Sequence, residues 1–600
     1  MFNRKAARFV YVAIFFVAIY FLAVGPWRET ANSLRLSYSL GNKEQVVENP
    51  TSDGGNVITD HNIPAEQALT ENPPTDKDSE HLAAERLAAD KLAAEKLAAE
   101  STTKSAAKQV QTAVSGSGSD SANNNVASSP LTSTEDDKAR YEHIHSLLPI
   151  FEKYRPKMEP LHKYKDDKEA PKKAFTDTIP VFTKEELADY LQVSKEDKDI
   201  LTKSHRDTVE HLPSNYPKGL FKGQGVVFTS GGKYLPIMVT TLRMLRRVSP
   251  VIPVEVFLAD KEEYEPEICE KLMPMLGARC VVLEDVYGKE FFKSFDIHSY
   301  QLKALSIWAS SFEDVIFIDS DNVPIRNVEA SLQQEPYLST GYIVWPDYWF
   351  RTTSTHYYDI ADIVLGERVR GDLSVTDPKL IPQADLKNAL PDKSSESGQL
   401  MISKSKHYKS LLLTVYYNLN GFTAYYKLFT QGSGGEGDKE TFLAAALALG
   451  EPVYQILTDT RPTGRFDPEG FEGAGMLQID PYEDYKKHVL KTSPKDVHGR
   501  ILFVHFNMFK LNIRLLFSDK EKEKFSSDDK RVRYCGKPSD NTEWFDYQDI
   551  EFYMWREVLW TACEMPKLGI NFKDWKDVDM TEMCNKTTAH FKWLEKTHNS

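Results

Sequence analysis

Cysteine is scarce. Five in 600 residues are too few for a disulfide scaffold, and the odd count leaves at least one without a partner in the chain. No CxxC pair is present, which argues against a zinc finger or a thioredoxin-type centre. Positive charge is not in excess either: 74 Lys and Arg stand against 88 Asp and Glu, a net charge of -14. A nucleic-acid binder needs a positive field to meet phosphates, so no nucleic-acid partner is expected. Long uncharged apolar runs are nearly absent, the exception being the seventeen residues Phe9–Gly25, FVYVAIFFVAIYFLAVG. Aromatics almost vanish between residues 26 and 139 and return from about Tyr141. What is present, 41% apolar and 11% aromatic residues, suffices for a sizeable core.

The apolar run is at the short end of what spans a hydrocarbon core. Arg4, Lys5 and Arg8 precede it, so residues 1–8 read as a cytosolic tail and 9–25 as a transmembrane signal-anchor. A cleaved signal peptide is the competing reading. Pro26 would hinder cleavage after Gly25, and the run exceeds the ~7–15 residues of a usual signal-peptide core. The expectation is a single-pass type II membrane protein with its head in the lumen, and a short span suits a thin, early secretory membrane. Residues 26–139 read as a low-complexity stem. Its repeat HLAAE-RLAAD-KLAAE-KLAAE turns by ~140° per unit on a helix, which scatters the leucines and excludes a coiled-coil seam. The i,i+4 pairs Arg86–Asp90, Lys91–Glu95 and Lys96–Glu100 suit a solvated spacer. Residues 140–219 form a helical lead-in, in which Thr183 and Glu186 make a capping box and helices are expected over 183–191 and 194–211.

From Gly225 short strands alternate with helical segments: Val226–Thr229, Val254–Leu258, Cys280–Leu283 and Val315–Ile318, with helices over 236–248, 264–276 and 299–310 between them. This alternation predicts an α/β domain with a parallel sheet covered on both faces. Such sheets bind ligands beyond the carboxyl ends of their strands, here after Phe228 and after Ile318. Asp319-Ser320-Asp321 follows the latter. Two carboxylates at i and i+2 face one way in extended chain and suit a hard cation completed by phosphate oxygens. The chain carries its own controls, since Asp76/Asp78, Asp197/Asp199 and Asp577/Asp579 share the spacing without following a buried strand.

At this point the segments FTSGGKY, YQLKALSIWASSFEDVIFIDSDN, TGYIVWPDYWFR, LPDKSSESGQLMISK, YYKLFTQGSGGEGDKETFLAAA and ILFVHFNMFK are similar to the fungal Golgi α-1,2-mannosyltransferases of the Mnn2/Mnn5 type, glycosyltransferase family 71. The similarity covers roughly residues 220–515, the expected catalytic domain, leaving 516–600 as a C-terminal extension packed on it. The resemblance implies a glycosyltransferase-A-like (Rossmann-like nucleotide-sugar) head on a single N-terminal transmembrane helix and a flexible stem. It also implies GDP-mannose as donor, Mn²⁺ as metal, α-linked mannan as acceptor and the Golgi membrane as location.

Several residues acquire roles on that basis. Asp319 and Asp321 would hold the metal and the donor. Thr229, Ser230 and Gly231, ending the first strand, would touch the nucleoside. Lys303 would meet the diphosphate as a point charge, unless it is a solvated helix lysine. Ser394–Gln399 reads as a polar loop feeding a strand, with Glu396 and Gln399 as catalytic or sugar-binding groups. Glu436 or Asp438 would accept the hydrogen of the attacking hydroxyl, from a glycine-rich loop that closes over substrate; Asp438 also reads as the N-cap of the following helix. His505, on an apolar strand, is either a core histidine or a third metal ligand, with Lys510 close behind for the phosphates. Trp345, Tyr348 and Trp349 either stack on sugars or pack in the core.

If donor and product are both α-linked, the enzyme retains configuration, through front-face attack or a double displacement at Glu396. The alternatives are an α-1,3-mannosyltransferase of the same family and a non-catalytic, membrane-anchored sugar-binding or scaffold protein. Asn585-Lys586-Thr587 is a luminal glycosylation sequon. In an oxidising lumen Cys269 and Cys280 are the closest candidate pair in sequence, then Cys563 and Cys584, with Cys535 left free.

Overall fold

Alternating side chains build the molecule around one sheet. In the computed structural model, residues 134–171, 180–467, 470–493, 499–518, 522–535, 545 and 548–598 are described. The expected tail, anchor and nearly all of the stem lie outside them, and no helix among the described residues is long and apolar enough to cross a membrane.

The chain enters through α1 (Thr134–Lys153) and α2 (Lys195–His211). Helix α1 begins inside the segment expected as stem. Glu135, Asp136 and Asp137 suit its first turn, and Arg140, wholly buried, donates to the Ala309 carbonyl at 3.0 Å. Thr183 accepts the amide of Glu186 as the capping box requires, but the helix ends at Leu187, because Leu191 is drawn into a bridge with Tyr164. Helix α2 forms over the expected segment, with Ser194 as its N-cap.

The strands follow: β1 (Gln224–Thr229), β2 (Val254–Leu258), β3 (Ala278–Val282) and β4 (Asp314–Ile318), with α3 (Leu235–Val248) after β1 and α4 (Gln301–Ala309) before β4. Beyond β4 come β5 (Asn322–Pro324), β6 (Tyr342–Phe350), β7 (Lys393–Ser403), α5 (Lys404–Leu419), α6 (Thr441–Ala448), β8 (Tyr454–Gln455), β9 (Arg461–Asp467), β10 (Gly470–Ile479) and β11 (Ile501–His505). The chain ends in α7 (Ile550–Leu559) and α8 (Met580–Thr597).

The main sheet runs β3-β2-β1-β4-β7-β6-β8. Its first four strands are parallel in the order of a mononucleotide-binding half. The expectation of an all-parallel sheet fails at β7, which runs antiparallel to both β4 and β6. Period-two burial separates two apolar layers. Val226, Phe228, Val256, Ile316, Ile318, Ile343 and Met401 face a layer shared with α3 and with Trp555, Val558 and Leu594 of the C-terminal segment. Val227, Phe257, Val315, Phe317, Val344 and Leu400 face the other, shared with α1, α4, α5 and α6.

A second, four-stranded sheet runs β5-β11-β10-β9. The chain passes from the first sheet to the second through Asp319-Ser320-Asp321, between β4 and β5. Cys269–Cys280 and Cys563–Cys584 are disulfide-bonded as expected, and Cys535 is buried and belongs to neither disulfide.

Candidate active site at the junction of the two sheets

Register explains why distant residues meet. Ile318 pairs with Gln399 in one sheet, and Asn322 pairs with His505 in the other. The three residues between Ile318 and Asn322 are therefore flanked by β7 and by the end of β11. The Asp319 amide donates to the Gly398 carbonyl at 2.7 Å, and the Phe506 amide to the Asp321 carbonyl at 2.9 Å. Ser320 ties the same turn to β1, donating to the Thr229 carbonyl at 3.2 Å and lying 3.1 Å from the Ser230 hydroxyl. Thr229, Ser230 and Gly231 thus end β1 beside the acidic turn. A Cβ on Gly231 would come within 2.2 Å of the Glu263 carboxylate, which any larger residue there would have to displace.

Lys303 is buried. Its ammonium donates to Asp319 Oδ2 at 3.1 Å, the Ser397 carbonyl at 2.6 Å and the Ser397 hydroxyl at 3.0 Å, and lies 3.4 Å from Asp438 Oδ2. The solvated reading is excluded. His505 Nε2 lies 3.1 Å from Asp321 Oδ1, and its Nδ1 lies 3.0 Å from Glu396 Oε1. Lys510 bonds the other oxygen of Asp321. Glycines make room for the imidazole: a Cβ on Gly398 would lie 2.5 Å from the ring, and one on Gly475 would lie 2.4 Å from the His505 carbonyl. The close approach that small residues permit in this stretch of β7 is made by His505.

These groups polarise each other. Burial pushes Asp319 up to about 6 against the pull of Lys303, with Asp321 adding to the rise. Burial also disfavours the Asp321 anion, but His505 and Lys510 overcome it and hold that carboxyl below its ordinary range. Burial works against a charged imidazole at His505, yet Glu396 and then Asp321 carry it well above its ordinary value. Glu396 is lowered despite burial, chiefly by His505.

One oxygen each of Asp319 and Asp321 and a nitrogen of His505 lie within 4.8 Å of one another. Two carboxylates and an imidazole suit a divalent cation. Charge agrees: with the imidazole neutral, Asp319, Asp321, Glu396 and Asp438 face only Lys303 and Lys510, leaving the two negative charges that a divalent cation neutralises. A cation would take the place of the His505 proton.

Other expected groups are placed differently. Ser394–Gln399 is part of strand β7, not a loop, because Ser395 and Glu396 pair with β6 and Gln399 with β4. Gln399 is wholly buried and accepts from Asn322 Nδ2, linking the two sheets. Glu436 pairs with Lys427 at 2.8 Å and accepts from Thr430 at 3.1 Å, outside the cluster around Asp319 and Asp321. Asp438 does not cap α6; its backbone carbonyl takes the Thr441 amide while its side chain turns to Lys303. The glycine-rich loop is packed rather than open: a Cβ on Gly434 would lie 2.7 Å from the Trp349 ring, and one on Gly437 3.1 Å from the Tyr300 ring. Trp345 is core, with Nε1 donating to the Ile479 carbonyl at 2.9 Å. Asn585 is exposed on α8.

Asp347, Lys439, Arg351 and Glu440, clustered beside Glu396, escaped the sequence reading. Pro346 within the run YIVWPDYWF was the available signal, since proline inside a strand marks a bulge or an edge.

Residues 223–480 match the family described as "Mannosyltransferase putative". Alpha-1,2-mannosyltransferase MNN21 of Candida albicans is 36% identical over 506 residues, covering 76% of this chain and 76% of that protein. Alpha-1,2-mannosyltransferase MNN2 of Saccharomyces cerevisiae is 41% identical over 318 residues, covering 51% of this chain and 53% of that protein. Among solved structures, mouse xyloside xylosyltransferase 1 aligns with 48% of this chain and 98% of its own at 11% identity, with a TM-score of 0.27 that carries no weight here. The likeness to MNN21 extends across three quarters of both chains, and on that ground the chain belongs to the Mnn2/Mnn5-type α-1,2-mannosyltransferase family and is a glycosyltransferase.

Proposed function

We propose that this glycosyltransferase moves mannose from GDP-mannose to α-mannoside chains of mannan, forming α-1,2 branches with retention of configuration and with Mn²⁺ as its metal. The observation that carries the reading is the convergence of Asp319, Asp321 and His505 at the sheet junction of a chain in this family. Those three residues would hold the ion, which when bound supplies electrophilic stabilisation of the leaving diphosphate.

The chain's own groups do the rest. Lys510 and Lys303 bring ammonium charges to the turn that receives the diphosphate. Thr229, Ser230 and Gly231 line the nucleoside end. Asp438, buried and held toward Lys303, accepts the hydrogen of the attacking hydroxyl. Glu396 stands ionised between the donor and acceptor sides, its Oε1 fixed by the Gly398 amide at 2.7 Å. Gln399 supports the site through Asn322, and Glu436 supports the glycine-rich loop through Lys427.

A Golgi location, with residues 9–25 as a retained type II anchor and a glycan on Asn585, belongs to the same proposal. The disulfides Cys269–Cys280 and Cys563–Cys584 support an oxidising compartment. The test is incubation of the purified full chain with GDP-mannose, Mn²⁺ and defined α-mannosides, followed by NMR of the product linkage. An α-1,2 product upholds the reading. An α-1,3 product replaces the linkage, and absence of any product overturns the donor and acceptor assignment.

A further inference from the structure

The β6/β7 ladder breaks twice beside the acidic cluster. Val344 pairs with Leu400 and the next residue, Trp345, pairs with Glu396, so Ser397, Gly398 and Gln399 are extra on β7. Pro346 pairs with Ser395 and Phe350 with Lys393, so Asp347, Tyr348 and Trp349 of β6 stand opposite Ser394 alone. Bulges re-aim side chains and gather next to active sites. The first one seats Ser397 and Gly398 on Lys303 and His505. The second turns out Asp347, Tyr348 and Trp349, the three half-buried residues in an otherwise buried strand.

These three are fixed in place. Asp347 Oδ2 lies 3.0 Å from the Lys439 ammonium, and its Oδ1 accepts the Tyr348 amide at 2.6 Å. The Tyr348 hydroxyl donates to the Gly475 carbonyl at 3.2 Å, against the strand that backs His505. Trp349 lies against Gly434 of the glycine-rich loop. Burial raises the Asp347 carboxyl above its ordinary range; Lys439 opposes the rise and the charge of Glu396 adds to it, which places the two carboxylates within electrostatic reach. Glu396 is only 7% exposed, and its Oε2 has no hydrogen-bond partner.

The adjacent ion pair provides the contrast. Glu440 and Arg351 are paired at 2.9 Å with side chains 2% and 3% exposed, and Glu440 also accepts from the Ser394 hydroxyl and the Ser395 amide. That pair is enclosed and tied to the backbone, as a structural pair should be. Lys439 and Asp347 adjoin it, 8% and 11% exposed, with the Lys439 ammonium 3.8 Å from Glu440 and Asp347 within electrostatic reach of Glu396, whose Oε2 is unpartnered. The ammonium already supplies a cation at Asp347 and also donates to the Ser394 hydroxyl, so what the patch lacks is a hydrogen-bond donor for Glu396. A sugar hydroxyl supplies that donor, and a neighbouring hydroxyl on the same ring meets the Asp347 carboxylate, an acceptor, and the Lys439 ammonium, a donor, beside it.

We propose that Asp347 and Lys439, with Glu396 at their inner edge and Trp349 as an apolar wall, form the acceptor-sugar subsite, gripping two adjacent hydroxyls of a terminal pyranoside. The inference rests on the glycosyltransferase reading above and adds the residues that choose the acceptor. Donor and acceptor then occupy opposite sides of Glu396, with the metal-ligating carboxylates on one side and the bulge of β6 on the other.

Steady-state kinetics on the full chain test it, with Asp347→Asn and Lys439→Gln measured against varied acceptor and varied GDP-mannose. Loss of a hydrogen bond to a charged group raises the acceptor KM about tenfold or more, while the donor KM and the Mn²⁺ requirement stay within about twofold. A series of monodeoxy acceptors gives a second readout on the unmodified enzyme: two adjacent positions carry a KM penalty, and that penalty disappears in whichever variant folds. An unchanged acceptor KM in both variants, a parallel rise in donor and acceptor KM, or no deoxy penalty on the unmodified enzyme overturns the subsite. Failure of the unmodified enzyme to use GDP-mannose with any acceptor overturns the functional reading itself, and the subsite with it.

Discussion

Two Asp-x-Asp pairs with the same spacing have opposite fates in this chain. Asp321 has a side chain only 11% exposed and meets His505 and Lys510, which lie 184 and 189 residues away in sequence. Asp577 has a side chain 60% exposed and pairs with Arg514 at the surface, while Asp579 accepts the amides of Thr581 and Glu582 as the N-cap of α8. The spacing is identical and the chemistry is not. Asp319 and Asp321 follow a strand buried at the centre of a sheet, so the chain has to bring cations to them. Asp577 and Asp579 precede a helix at the surface, where water, an exposed arginine and the helix's own amides suffice.

Asp321→Asn breaks the contrast most severely. It keeps the shape but removes a charge that the metal and Lys510 both meet, so turnover falls by about 100-fold or more. A circular dichroism melt alongside the assay shows whether the fold survives, and near-normal turnover in a folded variant would remove the pair from the mechanism.

His505→Ala comes next. As a metal ligand its loss raises the Mn²⁺ concentration needed for half activity by about tenfold or more with little change in melting temperature. An unchanged Mn²⁺ requirement with a clear drop in melting temperature would make His505 a core residue.

On the other side of the comparison the effects fall on stability alone. The Cys563–Cys584 bond closes 21 residues of separation and anchors α8, so replacing both with serine costs about 3 kcal/mol by denaturant titration. Asp579→Ala removes a helix cap and costs about 1 kcal/mol with turnover unchanged. Asp577→Ala breaks an exposed ion pair and leaves both the melting temperature and turnover close to unchanged. A loss of turnover in either aspartate variant would show that spacing counts for more than burial.

Sequence carried the local part of this picture. Val226–Thr229 and Val315–Ile318 announce themselves by apolar runs, the Asp319 pair by its place after one of them, and both disulfides by the order of the cysteines. It did not carry features that depend on partners across the fold. Ser394–Gln399 looks like a loop because its small polar residues have no strand propensity, yet β4 and β6 supply the ladder on either side. Asp438 looks like a helix cap because the glycines before it suggest a free turn. Lys303, Tyr300 and Trp349 occupy that turn from other elements and re-aim the side chain. Nothing local marks Asp347 and Lys439: the double bulge turns Asp347 out of β6, and Lys439 reaches it and Ser394 from the glycine-rich segment.

Mn²⁺ binding in the presence of GDP, followed by electron paramagnetic resonance on the full chain and on Asp321→Asn, addresses the metal centre itself. One bound ion per unmodified chain, lost in the variant while Asp577→Ala keeps it, is the predicted result. Equal Mn²⁺ binding by the unmodified chain and Asp321→Asn would contradict a metal centre built from Asp319, Asp321 and His505.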